Sequence, residues 1–264
     1  MNLLAIKILS VLLFAGGVGG KPPVPAVTAF QKMLGVYRQL RSYSERARVE
    51  VTFTSGGKIV QKEMEGVTLL FQRPNRLALV IYSPTALRTL EAFSDGKTLT
   101  VYESKSNRYT AGPVGADASS LPALLKKRAQ LQTILDPLDF ICSADAAGFL
   151  SGLKYIATEK LDGHPCLIVT GSPKSVTPQH GKKSAAMRWT WYIDKRTSLL
   201  RKITGISEPV KGHAGKTLET VRLNISYRIL SVQVNPSIPA ASFRFRAPHG
   251  VKKKPGLIPP WIGK

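Results

Sequence analysis

The sequence predicts a mainly β protein, with one antiparallel sheet of about eleven strands and three helices packed on it. Three observations lead there. Period-two runs recur, as where Ala47, Val49, Val51 and Phe53 alternate with Arg46, Arg48, Glu50 and Thr52. Tight-turn pairs separate them: Asp95-Gly96 and Asp162-Gly163 place glycine where hairpins need positive φ, and Ser55-Gly56-Gly57-Lys58 does the same. The connections between strands are local, with no crossover helices, so the pairing is antiparallel.

Taken in order, residues 1–20 read as a secretory signal peptide. One cation, Lys7, precedes an apolar run over 8–18 and the small residues Val18-Gly19-Gly20. That run is too short to cross a bilayer, and an uncleaved anchor is the competing reading. No cysteine lies near the cleavage region to accept a lipid. Residues 21–250 read as a single domain and 251–264 as a loosely held, basic, proline-rich tail. At 25–43 the residues Phe30, Met33, Leu34, Tyr37 and Leu40 fall on one helix face, with Thr28 and Gln31 spaced as a capping box. Such a stripe packs on a core or forms a lid over a cavity. Strands then follow over 45–53, 59–72, 77–82 and 89–94, with another beyond the Asp95-Gly96 turn. A second helix is expected over 119–135 and a third over 138–150, begun by Asp136-Pro137. Strands resume at 153–159, 166–170, 187–193, 199–203 and 221–234, with a last short one at 243–245. The loop at 172–186 is polar and basic.

Composition bounds the partners. The chain has 38 Lys and Arg against 16 Asp and Glu, a formal charge of +22. This attracts polyanions: anionic lipid head groups, acidic proteins or nucleic acid. The cations are scattered, with short clusters at Lys126-Lys127-Arg128, Lys182-Lys183 and Lys252-Lys253-Lys254. No recognition helix, zinc finger or RNA-binding signature accompanies them, and an exported chain does not meet nucleic acid, so that partner is set aside. An anionic membrane surface remains.

Catalytic chemistry is thin. His164, His180, His213 and His249 sit beside Gly or Pro in turns and are not spaced as metal ligands. There is no nucleophile elbow, phosphate loop or dinucleotide fingerprint. Asp95 and Asp162 are explained as turn residues. The reading is non-enzymatic, with no cofactor and no metal. Cys142 and Cys166 are the only cysteines, and an isolated pair in an oxidising compartment commonly bridges. A bond would staple the third helix to the sheet, worth about 3 kcal/mol in the loop-closure picture. Two buried free thiols are the alternative.

Two segments and the C-terminus carry a resemblance. Phe71-Gln72-Arg73-Pro74-Asn75, Ser94-Asp95-Gly96-Lys97-Thr98-Leu99-Thr100-Val101-Tyr102, and Ala241-Ser242-Phe243-Arg244-Phe245-Arg246-Ala247-Pro248-His249-Gly250-Val251 are similar to motifs of the LolA-like periplasmic lipoprotein carriers (the LolA/LolB/LppX-like superfamily). The resemblance implies a half-open antiparallel β-barrel under two or three lid helices, holding acyl chains of lipids or lipoproteins. It also implies a periplasmic location, an inner-membrane donor and an outer-membrane acceptor. Arg73 matches the arginine that bonds the lid helices in that family and governs opening. Departures are Thr100 where the family has Trp, Leu77 and Leu79 at its aromatic positions, the cysteine pair, the basic loop and the high charge. Candidate cavity residues are Val49, Val51, Leu69, Leu77, Leu79, Val80, Phe93, Leu99 and Val101, the inward parity being left open. A monomer is expected, and the competing functions are an envelope sensor on the same fold or an electrostatic binder of anionic envelope polymers.

Overall fold

The structure is a computed structural model that describes residues 26–84, 88–129, 136–142, 150–173, 187–214 and 217–253. The expected signal peptide and most of the expected tail lie outside these residues, as does most of the basic loop. Helix α1 (Ala26–Gln39) leads into β1 (Ser42–Ser55), β2 (Lys58–Gln72), β3 (Arg76–Ser83), β4 (Arg88–Asp95), β5 (Thr98–Glu103) and β6 (Arg108–Pro113). Helices α2 (Ser120–Ala129) and α3 (Asp136–Cys142) follow. Then come β7 (Leu150–Leu161), β8 (His164–Pro173), β9 (Met187–Asp194), β10 (Leu200–Ser207), β11 (Val210–Ala214) and β12 (Thr217–Val234). A 3-10 turn (Ala240–Phe243) and β13 (Lys252–Lys253) end the described chain.

All strands belong to one 13-stranded sheet ordered β13-β6-β5-β4-β3-β2-β1-β12-β10-β9-β8-β7, with β11 paired to β12. The end strands do not meet, so the sheet is unclosed and curled, a half-open barrel with a helical lid. Every pairing is antiparallel except β13 on β6. One long-range pairing, β1 with β12, joins the meander of the first half to that of the second.

The turn chemistry acts as the sequence suggests. Asp95 Oδ1 accepts the Lys97 and Thr98 N–H groups at 2.8 Å each, and Gly96 sits at φ 98°. These backbone bonds hold the Asp95 carboxyl below its usual range. At the second turn Asp162 and Gly163 take φ 50° and 81°.

Several expectations are corrected. The sheet of about eleven strands is present, with the short β11 and β13 as additions that the alternation does not mark. The third helix is described only to Cys142, and Leu150 to Gly152 belong to β7 rather than to a helix end. Thr28 lies inside α1 rather than capping it, since Ala26 and Val27 before it are already helical. The 243–245 strand is absent: Phe243 closes a 3-10 turn and Phe245 lies in irregular chain. That segment is a strap across the outer face. Phe243 is buried against β3 and β4, and the Phe245 ring lies 6.1, 5.7 and 5.3 Å from those of Phe93, Tyr102 and Tyr109. The strap then pairs Lys252-Lys253 in parallel with Arg108-Tyr109, covering the β6 edge.

Candidate functional site

The inner face of the sheet and the helices on it share one apolar cluster. Phe30, Met33, Leu34 and Tyr37 of α1, Leu121 and Leu125 of α2, and Leu138, Phe140 and Ile141 of α3 meet strand residues there. Each such side chain contributes about 1.5–3 kcal/mol by leaving water. Phe30 is central, with its ring 5.7 Å from Phe140 and 5.1 Å from Trp191, both edge-on. No helix is long and apolar enough to span a membrane among the described residues.

Strand parity sorts the candidate cavity residues. Val49, Leu69, Leu77, Leu79, Leu99 and Val101 are buried in this cluster, and Val51 packs half-buried at its margin. Val80 and Phe93 do not join them. Leu79 pairs with Ala92 on the inner face, so the next residues, Val80 and Phe93, point to the outer face. Phe93 instead lies under the Phe245 strap. Beyond the helices the inner face continues with Phe53, Met187, Trp189 and Leu223, all half-buried. Gly205 makes room for this margin: a Cβ there would meet the Trp189 ring at 2.5 Å.

Arg73 ties the lid to the sheet. Its Nε donates to the Leu40 carbonyl at 2.8 Å, and one terminal nitrogen donates to the Arg38 carbonyl at 2.9 Å and the Ile141 carbonyl at 3.1 Å. The acceptors are the C-terminal carbonyls of α1 and α3 and the linker to β1, groups that a helix end leaves unpaired and partly negative. One planar guanidinium therefore holds two helices. Asn75, two residues on, is buried and donates to the carbonyls of Gly96 (3.0 Å) and Gly115, while Ser94 Oγ donates to the Asn75 carbonyl at 2.7 Å. The Arg-Pro-Asn and Ser-Asp-Gly segments thus form one bonded corner beneath the lid.

Glu45 is the residue that sequence reasoning missed. It follows Tyr43 and precedes Ala47 and Val49 on the inward parity of β1, and it is 1% exposed. Tyr43 and Tyr227 both donate their hydroxyls to its carboxylate. Burial nevertheless pushes its pKa up to about 7, the two phenol bonds offsetting only part of the desolvation. Tyr37 of α1 packs on Tyr43 with ring centres 5.7 Å apart, and its oxygen accepts the Leu200 N–H at 3.2 Å. Burial, and after it the Glu45 charge, raise the Tyr37 and Tyr43 phenols well above their ordinary range. A titratable group thus sits where α1 meets the sheet. The available signal was its phase: an acid alternating with Ala47, Val49 and Val51.

The cysteines are not bonded. Cys142 and Cys166 are both buried and free. Cys142 belongs to the inner cluster, whereas Cys166 pairs with Asp194 one position out of phase with the inward Leu167 and Ile193, so the two thiols lie on opposite sides of the sheet. Sequence order could place both near the same strands but not on the same face. Burial pushes the Cys142 thiol up to about 12, which leaves it unreactive in the folded protein. Thiol counting should give two equivalents after denaturation without reductant, and Cys142 should resist alkylation in the native protein.

Among the described residues no three His, Cys, Asp or Glu side chains group to hold a metal. Asp194 is buried and serves structure: it accepts from Arg201 Nε and a terminal nitrogen at 3.2 and 2.9 Å and from the Arg196 and Thr197 N–H groups. Despite its burial, these donors hold its carboxyl below the usual range.

No curated protein matches the sequence. Solved structures similar to the chain include the lipoprotein LppX of Mycobacterium tuberculosis, 14% identical over 81% of this chain and 97% of that one, with a TM-score of 0.38. LprF of Mycobacterium bovis is 14% identical over 83% and 98%, with a TM-score of 0.43. A LolA superfamily protein of Nitrosomonas europaea is 12% identical over 84% and 99%, with a TM-score of 0.33. Over residues 26–254 the sequence matches a family described as "Predicted periplasmic protein (DUF2092)", and the chain belongs to that family.

Proposed function

We propose that this protein is a non-catalytic periplasmic carrier that takes acyl chains of lipids or lipoproteins onto the inner face of its sheet and moves them toward the outer membrane. The observation that carries this reading is the make-up of that face. Around the buried carboxyls of Glu45 and Glu65 it presents one continuous apolar cluster, covered by separate helices, and it continues past them into the half-buried Val51, Phe53, Met187, Trp189 and Leu223. Acyl chains would enter at this margin. Further room would come from the helices lifting off Val49, Leu69, Leu77, Leu79, Leu99 and Val101, with Arg73 as the tie that limits the movement. Each methylene taken from water contributes about 0.8 kcal/mol, so acyl chains bind with no catalytic group. An inner-membrane donor and an outer-membrane acceptor complete the cycle.

Mass spectrometry of ligand extracted from the native protein, with uptake of a fluorescent fatty acid, tests the proposal. Acyl species and saturable uptake are expected. Repeated absence of both would overturn it.

A further inference from the structure

The outer face of β2-β1-β12-β10-β9 carries several cations, and there like charges stand directly opposite one another. Arg48 of β1 faces Arg228 of β12 in register, and Arg228 faces Lys202 of β10. Adjacent strands are about 4.8 Å apart, so three cations lie in a row of roughly 10 Å across the strands. Directly opposed like charges destabilise a sheet. Arg46, Lys62, Arg188 and Arg222 share this face and are exposed. Two acids temper it: Glu50 pairs with Lys62 at 3.1 Å, and Asp162 pairs with Arg228. The surface stays strongly positive.

Apolar side chains are interleaved with these cations. Leu230 is 57% exposed beside Ser231, which pairs with Arg46; Ile206 is 48% exposed and pairs with Arg188; Met64 is 37% exposed and pairs with Glu50. At the tip of the β1–β2 hairpin, Ile59 and Val60 are exposed by 64% and 60% next to Lys58. Scattered exposed apolar residues alone mean little. Set among closely spaced cations that outnumber the acids on one broad face, and at a hairpin tip, they match the chemistry of a bilayer surface. On such a surface head-group phosphates would meet the arginines, while Ile59, Val60 and Leu230 would reach the acyl boundary.

We propose that this outer face docks the protein on an anionic phospholipid bilayer, with the row Arg48, Arg228 and Lys202 as the head-group contact and the hairpin tip as the shallow apolar anchor. The face lies on the side of the sheet opposite the helices, so docking leaves the inner face and its lid free. The inference stands apart from the carrier reading, because neither helix movement nor acyl binding enters it.

Flotation of the purified protein with vesicles tests it. Binding is expected to vesicles in which about a third of the lipid is phosphatidylglycerol, to be absent from pure phosphatidylcholine, and to fall steeply as salt rises from about 0.1 to 0.5 M. The double variant Arg48→Glu, Lys202→Glu should lose affinity roughly tenfold or more, since each cation near such a surface is worth about a fivefold factor. The control Lys32→Glu, Lys105→Glu changes net charge equally, on α1 and on the β5–β6 turn; it should lose clearly less. Equal losses would mean attraction by net charge alone and would overturn the face. So would binding to a soluble anionic polymer such as heparin that equals vesicle binding and is unaffected by Ile59→Ser, Val60→Ser. Arg48→Gln, Lys202→Gln covers the case in which charge reversal impairs folding, and its circular dichroism should match the parent. Fatty-acid uptake measured on the same variants should not change, which separates this result from failure of the carrier reading.

Discussion

Glu45→Gln is expected to stabilise the protein above neutral pH and to have little effect near pH 4. Glu45 has a folded pKa near 7 against an ordinary 4.5, so between those values the folded state binds the proton and the unfolded state does not. Stability therefore falls as pH rises through that window, and the loss is complete above about pH 7. A shift of this size corresponds to about 3 kcal/mol, taken at 1.36 kcal/mol for each pH unit. The residue is fully buried, so solvent screening does not reduce the figure greatly. Glutamine keeps an acceptor for one phenol and offers an amide to the other, so the Tyr43 and Tyr227 bonds have partners without a buried charge. In a chain of this size the gain at pH 8 amounts to roughly 5–10 °C in melting temperature. The readout is the difference between parent and variant across pH 4 to 9. Asp95 and Asp194, whose depressed carboxyls lose stability in acid, contribute alike to both proteins and cancel. A difference that stays flat with pH would mean that Glu45 does not carry the charge.

The same cluster shows what sequence could and could not reveal. Alternation places Val49 and Val51 on one face and Arg46 and Arg48 on the other, and the structure agrees. Glu45 shares the phase of Val49, but an acid at a strand start is ordinarily read as solvated. Tyr43 is a local donor, but the second, Tyr227, lies 182 residues away and reaches it only through the pairing of β1 with β12. Short local signals were legible: the Asp95-Gly96 turn, the apolar stripe of α1, and the Arg73-Pro74-Asn75 corner. Parity across an unpaired register was not, so Val80 and Phe93 fell on the outer face and Cys166 fell away from Cys142. The strap misled for a related reason. Phe243 and Phe245 alternate like strand residues, yet their backbone pairs with no strand and their rings alone bind the sheet.

Arg73→Leu should leave the sheet intact and loosen the lid. The substitution removes a single guanidinium that donates to Arg38, Leu40 and Ile141 carbonyls, and no other side chain among the described residues donates to these three. Hydrogen bonds to a charged donor contribute about 1.5–3 kcal/mol each when buried. Arg73 is largely exposed, and water replaces part of what it supplies, so the global loss should be only about 1–3 kcal/mol. The apolar contacts of α1 persist, and a cooperative melt is expected. The local effect should be larger than the global one. Amides in the last turn of α1 and in α3 should exchange faster, while those of β1 and β2 keep their protection. If opening limits release, weakening the tie by 1.4 kcal/mol shortens retention of a bound fluorescent fatty acid about tenfold. Lysine should restore little: its ammonium is a single point that cannot reach Leu40 and Ile141 in the fork geometry of arginine. Unchanged helix exchange and unchanged retention in Arg73→Leu would reduce Arg73 to a strand-end cation. Faster exchange with unchanged retention would keep its tie to the helices and deny that the tie governs release.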